Sequence, residues 1–196
     1  MEQFDLAMAM VKNQDLIHGQ AVTLVQEIST LSNEEVILIN GSRMPGERIY
    51  KLMPHATHLV LAIGTIGNAL ETLVRKFIRE DNPSIGIMLD GIGSAAVDCL
   101  LEETSHRIST MADDMGLMSS SPISPGMPGL PLETQQILFN LLPADAIDVR
   151  LTSSRMMIPF KSSSMIIGLA KEMPRWSKEE VCKKCHLFMH CRYKKE

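Results

Sequence analysis

The sequence predicts an α+β fold, and three observations lead there. Of its 196 residues 45% are hydrophobic, which suffices for one core of ordinary domain size. Short apolar runs are interleaved with longer segments of helical periodicity. The two kinds do not follow one another as regularly as the strand–helix–strand units of a doubly wound sheet. No internal repeat is visible.

Residues 2–29 carry apolar side chains at helical spacing, with Phe4, Met8, Val11, Leu16, Ala21, Leu24, Val25 and Ile28 as the inward positions. A register drift between Asn13 and Gly19 allows a break in that helix. Val36-Ile37-Leu38-Ile39 reads as a short strand closed by the turn pair Asn40-Gly41. His58 to Ile63 is a second apolar strand, and Asn68 to Glu80 a helix with Leu70, Leu73, Val74 and Phe77 inward. Pro83-Ser84 ends that helix. Ile85 to Leu89 fits a short strand or the start of another helix. Ile92 to Met111 is a long helix with Ala95, Ala96, Cys99 and Leu100 inward, where Cys99 would be a buried, inert thiol. A loop rich in Gly, Ser and Pro covers residues 116–131. After it come a helix from Leu132 to Leu142 and strands over Ile147–Thr152, Met156–Ile158 and Ser164–Leu169.

Charge divides the chain. Residues 171–196 hold eight basic and four acidic residues, a balance of +4, while residues 1–170 hold 11 basic and 19 acidic, a balance of −8. Three of the four cysteines lie in the basic part. The expected organisation is an α+β domain over residues 1–170 and a basic, cysteine-rich tail over residues 171–196. The overall charge of −4 argues against nucleic acid as a partner, because phosphate neutralisation needs a Lys/Arg surplus. The opening Met1-Glu2-Gln3-Phe4-Asp5 has acids where a signal peptide has basic residues. Uninterrupted apolar runs stop short of the roughly 18 residues of a spanning helix. A cytoplasmic protein with no membrane contact is the expectation. The 15 methionines, against 4% aromatic residues, are read as flexible fillers of core gaps.

Several patterns point to chemistry, and most have a structural explanation. Gly91-Ile92-Gly93-Ser94-Ala95-Ala96 fits a dinucleotide-binding turn, but no apolar strand ending in an acid follows at the required spacing. Small residues for close helix packing account for it. His55 and His58 lack a neighbouring third metal ligand in sequence. Hydrolase chemistry finds no nucleophile elbow. The loop from Ser121 to Pro131 is more informative: its four prolines limit disorder, and its two glycines allow close backbone approach to a ligand.

That loop continues into Leu132-Glu133-Thr134-Gln135, then Leu151-Thr152-Ser153-Ser154, then Met157-Ile158-Pro159-Phe160-Lys161-Ser162. Upstream lies Leu89-Asp90-Gly91-Ile92-Gly93-Ser94-Ala95-Ala96-Val97-Asp98. In this order, residues 55–170 resemble the activation domain of cobalamin-dependent methionine synthase and its free-standing relatives. The resemblance implies a bent antiparallel sheet with flanking helices. It implies S-adenosylmethionine bound at Ser124, Pro125, Gly126, Met127 and Pro128, with Asp98 nearby. It also implies a corrinoid, supplied by a partner protein, that faces Met156, Met157, Ile158 and Pro159. The activity implied is support for reductive remethylation of inactive Co(II). Three positions depart from the family pattern. Pro122 stands where an Arg is usual, Met127 where an aromatic residue is, and Asp98 where Glu is. Proline cannot pair with a ligand carboxylate, so weak or absent S-adenosylmethionine binding is expected.

In the tail, Ser177 and Glu180 form a capping box that starts a helix at Lys178. Cys182 and Cys185 then share one face, and Cys191 follows, with His186 or His190 as a fourth ligand. The spacing favours a metal over a disulfide in a cytosolic chain. An iron–sulfur cluster suits a protein that helps to reduce Co(II), since zinc has no redox chemistry; zinc is the alternative. The function expected is therefore an accessory protein for a corrinoid-dependent methyltransferase. The other readings are a non-catalytic corrinoid-protein-binding module with a zinc-stapled tail, and a stand-alone S-adenosylmethionine-binding enzyme. No residue stands out as catalytic.

Overall fold

The computed structural model describes residues 2–174 and Met189. Helix α1 (Glu2–Asn13) covers only the first half of the expected N-terminal helix. The second half is strand β1 (Gln20–Leu31), which corrects the sequence reading. Ala21, Leu24, Val25 and Ile28 fit helical spacing, so the apolar pattern alone did not separate the two states. The β-branched residues Val22, Thr23, Val25, Ile28 and Thr30 decide it, because they lose little rotamer freedom in a strand. In the strand Val22, Leu24 and Ile28 turn inward and Thr23, Val25 and Glu27 outward, with the period of two that a half-covered strand requires.

Strands β2 (Glu35–Leu38) and β3 (Arg43–Pro45) form a hairpin around the expected Asn40-Gly41 turn, although β3 itself was not foreseen. Gly41 has φ +85°, and Asn40 Oδ1 accepts from Ser42 N at 2.9 Å. Helix α2 (Glu47–Leu52) leads to the central strand β4 (His58–Thr65). Helix α3 (Ala69–Lys76) ends in a π-helical turn, Phe77–Asp81. Helix α4 (Pro83–Asp114) follows as one 32-residue element, joining two segments that the sequence reading kept apart. Its start is explained by Asn82, whose Oδ1 accepts from Ser84 N and Ile85 N, and by Pro83 in the first turn. The remaining elements are β5 (Met118–Ser119), α5 (Thr134–Leu141), β6 (Arg150–Leu151), β7 (Met157–Ile158) and β8 (Ser162–Ala170). A 3₁₀ turn at Ala144–Ile147 takes up the beginning of the strand expected there.

Six strands form one antiparallel sheet in the order β3-β2-β1-β4-β8-β5, and β6 and β7 pair separately. A register shift between Ile28 and Thr30 bends the sheet where β1 passes from β4 to β2. Both faces of β4 are covered. Leu59, Leu61 and Ile63 join Val36, Leu38, Ile49 and Leu138 in one cluster, while Val60 and Ala62 meet Ile108 and Ala112 of α4 in another. That is why β4 reads as a continuous apolar run without alternation.

Helix α4 serves two cores. Its first half packs with α1 and α3 through Ala7, Val11, Leu70, Val74, Leu89 and Val97, and its second half lies on the sheet. By length and composition alone it would reach across a bilayer, with mean hydropathy 1.5 over its most apolar window, which the run lengths in the sequence did not anticipate. Its buried stripe is Ile85, Leu89, Gly93, Val97, Thr104, Ile108 and Ala112. Ala95 and Cys99 are exposed, contrary to the expectation that they pack inward. Their apolar character matched a helix whose wet face also carries small residues. In a variant lacking Cys182, Cys185 and Cys191, Cys99 should therefore react with an aromatic disulfide reagent as fast in the folded protein as in urea, within about twofold. Protection in the folded state would restore the buried assignment.

Candidate functional site

Two sequence segments that lie about seventy residues apart meet at the start of β8. Lys161, whose side chain is only 13% exposed, donates from Nζ to Asp90 Oδ1 at 2.8 Å and to Ser94 Oγ at 2.9 Å. Gly93 makes room for it: a Cβ there would stand 3.2 Å from Lys161 Cε and 2.9 Å from Leu70 Cδ2. On the other side, Ile66 N donates to the Lys161 carbonyl at 3.1 Å and Phe160 N to Glu71 Oε2 at 2.9 Å. Ser162 Oγ donates to the Pro159 carbonyl at 2.7 Å. The stretch Pro159–Ser162 is thus tied to α3, α4 and β4 together. The Lys161→Met variant should lower unfolding stability by about 1 kcal/mol, because Asp90 and Ser94 lose their shared charged donor, while Asp90, half in water, keeps part of its solvation. Urea denaturation measures this, and an unchanged midpoint would show that the clamp holds nothing.

Beside the clamp opens a cleft of about 560 Å³, lined by Asn68, Glu71, Arg75, Asp145, Asp148, Val149, Arg150, Ile158, Pro159 and Phe160. Its volume lies in the range of small-molecule sites. The buried Glu71 carboxylate also pairs with Arg75 at 3.4 Å. Asp145, Asp148 and Arg150 have no side-chain hydrogen bond or ion pair among the described residues. Sequence reading did not find this cleft. Its walls come from α3, the 3₁₀ turn with β6, and the β7–β8 connection, and no single segment carries a recognisable pattern.

The four positions expected to face a corrinoid divide by burial. Met157 lies in the main core, Pro159 is buried at the cleft wall, Ile158 is half-buried there, and Met156 is 49% exposed. Phe160, outside that set, is 57% exposed.

The Pro-Gly loop is ordered by its own backbone. Ile123 exchanges two hydrogen bonds with Ile166 of β8, at 3.0 and 2.8 Å. Gly126 N donates to the Leu130 carbonyl, Met127 N to that of Ser124, and Leu130 N to that of Met127. Gly126 and Gly129 have φ of +94° and +78°, which explains the glycines at these two positions. The Gly129 carbonyl accepts from Arg48 N of α2 at 3.2 Å. Pro125 and Ile123 are buried, Ser124 half-buried, and Gly126, Met127 and Pro128 exposed. Asp98 is exposed on α4, one turn beyond Ser94 on the stripe that begins at Asp90.

The tail positions Cys182, Cys185, His186, His190 and Cys191 lie outside the described residues. Among the described residues no group of three or more His, Cys, Asp or Glu side chains could hold a metal ion.

No family model matches the sequence, and no curated protein matches it. Solved structures do match. The crystal structure of the MetH reactivation domain bound to AdoHcy aligns with a TM-score of 0.65 at 13% sequence identity, covering 90% of this chain and 67% of that one. The bent antiparallel sheet, the flanking helices and the α+β class expected from the sequence are all present in this shared architecture. The chain has the fold of the MetH reactivation domain.

Proposed function

We propose that this chain is an accessory protein for a corrinoid-dependent methyltransferase, and that it supports reductive reactivation of a Co(II) corrinoid. The observation that carries the reading is the convergence of Asp90, Ser94 and Lys161. It joins two segments of the family resemblance into one rigid wall, within the fold of a reactivation domain. In the reaction, Co(II) takes one electron from an external donor and becomes Co(I). The Co(I) electron pair then takes the methyl group of S-adenosylmethionine, giving methyl-Co(III) and AdoHcy. Methyl transfer traps the unfavourably reduced metal and draws the reduction forward.

The loop residues Ser124, Pro125, Gly126, Met127 and Pro128, with Asp98, would hold the methyl donor. The solved neighbour carries AdoHcy, the product of such a donor, which supports a ligand of this kind. Pro122 offers no guanidinium to a ligand carboxylate, so affinity is lower than a site with an Arg there would give. Calorimetric titration with S-adenosylmethionine should give weak binding, about 10–100-fold below that of the Pro122→Arg variant. Gly126→Val should abolish it by straining a positive-φ position. Tight binding that ignores both changes would place the ligand elsewhere. The partner is a corrinoid protein, and the tail cysteines bind an iron–sulfur cluster that passes the electron.

A further inference from the structure

We propose that the basic tail, residues 175–196, docks in a groove between α4 and the outward face of β1, on the side of the sheet away from the main core. The inference goes beyond the proposed function and holds whether or not the tail carries a metal. Helix α4 lies over β4 and β8 through Ile108 and Ala112. It leaves the outward face of β1 bare, with Ala21, Thr23, Val25 and Glu27 exposed. Between helix and strand runs a groove of about 370 Å³, floored by Ala21, Thr23, Leu100, Ile108 and Met111. Val25, 37% exposed, follows on the same face of β1 and extends the apolar surface toward Glu27.

Charge and reach select the occupant. From Asp98 to Asp114, α4 carries five acids against Arg107, a balance of −4. Residues 175–196 carry seven basic residues against three acids, a balance of +4. Arg107 is taken up by Glu103 at 2.8 Å on the groove rim, so the surplus there is negative. Asp113 and Asp114 are exposed in the last turn of α4, which holds no basic residue. They face the negative end of the helix dipole, a placement that weakens the helix unless a cation lies beside it. The end of β8 is close by: Leu169 pairs with His58, His58 with Glu27 of β1, and Ala170 with Met118 just after α4. Glu27 is four residues, about 13 Å, from Thr23 at the groove. Fully extended, residues 175–196 would reach about 70 Å. Leu187 and Phe188 are thus far enough along to enter the groove, with Lys183 and Lys184 beside Asp113 and Asp114. Exposed ion pairs of this kind weaken with salt, so the tail is held reversibly.

The test is the rate at which trypsin cuts the full chain after Lys183 and Lys184 at low salt, since cleavage tracks the undocked population. The double variant Asp113→Lys/Asp114→Lys should be cut about tenfold faster than wild type, and Thr23→Arg, which puts a cation into the groove, about fivefold faster. Salt at 0.5 M should bring wild type close to the variants, to within about twofold. Glu34→Lys, at the β1–β2 turn, should change nothing. A metal in the tail would slow cleavage in all of these proteins alike, so the ratios between them read docking alone. Circular dichroism checks that each variant is folded. Carbodiimide coupling should join Lys183 or Lys184 to Glu103, Asp113 or Asp114 within one chain, and a mixture of ¹⁵N-labelled and unlabelled protein should give no mixed products. Equal cleavage rates in all variants would overturn the proposal. Mixed products alone would overturn it too, by giving the groove to the tail of a second copy.

Discussion

Gly46→Ala should destabilise the domain by at least about 3 kcal/mol, enough to leave little folded protein at 37 °C if the parent is of ordinary stability. The reason is steric rather than conformational. Gly46 has φ −91°, which any residue adopts, but a Cβ there would stand 2.2 Å from the Ser32 carbonyl oxygen and 2.7 Å from Glu35 N. Both obstacles are backbone. They are fixed further by the bonds between Ser32 and Glu35, at 3.0 and 3.1 Å, so neither can move aside cheaply. The damage extends to the Pro-Gly loop, because Gly46 opens α2 and α2 holds Gly129 through Arg48 N. Gly116→Ala is the control: φ is +69° there with nothing within 4 Å, and the expected loss is about 1 kcal/mol. Urea unfolding followed by circular dichroism would compare the two. Equal, small losses would mean that the β1–β2 turn yields more readily than its hydrogen bonds imply.

The second large effect concerns the tail. Protein prepared anaerobically should be brown and contain iron, and Cys185→Ser should remove most of the visible absorbance and iron. The basis is the i, i+3 spacing of Cys182 and Cys185 with Cys191 beyond, on a segment whose charge is +4. Loss of the cluster should leave the domain folded, because three apolar clusters already form among the described residues 2–174. A colourless protein with one equivalent of zinc would keep the metal and remove electron transfer from the tail.

What could be read in the sequence follows from how local each signal is. The Asn40-Gly41 hairpin turn, the strands β4 and β8, and the inward face of α3 were legible, since each is specified by neighbouring residues. Strand β1 was misread because Ala21, Leu24, Val25 and Ile28 satisfy helical spacing, while burial on one side only emerges once β4 pairs with it. Strand β3 was missed because three residues, one of them a proline, carry no periodicity. Cys99 was misplaced because small residues occur on both the buried and the exposed faces of α4. At the site, the Pro-Gly loop announced itself through composition. The clamp of Asp90, Ser94 and Lys161 did not, although two quoted segments contained all three residues. Their meeting depends on α4 crossing the start of β8, and that is tertiary information. Glu71, Asp145, Asp148 and Arg150 were invisible for the same reason: each looks like an ordinary surface charge until the cleft is assembled.

The central claim is best tested by following a Co(II) corrinoid protein in the visible spectrum under anaerobic conditions, with a one-electron reductant and saturating S-adenosylmethionine. With this chain present, the Co(II) band should decay as methyl-Co(III) appears, at least about tenfold faster than without it, and one AdoHcy should form for each methyl-cobalt made. A decay rate that is the same with and without the chain, across several corrinoid proteins, would contradict the account.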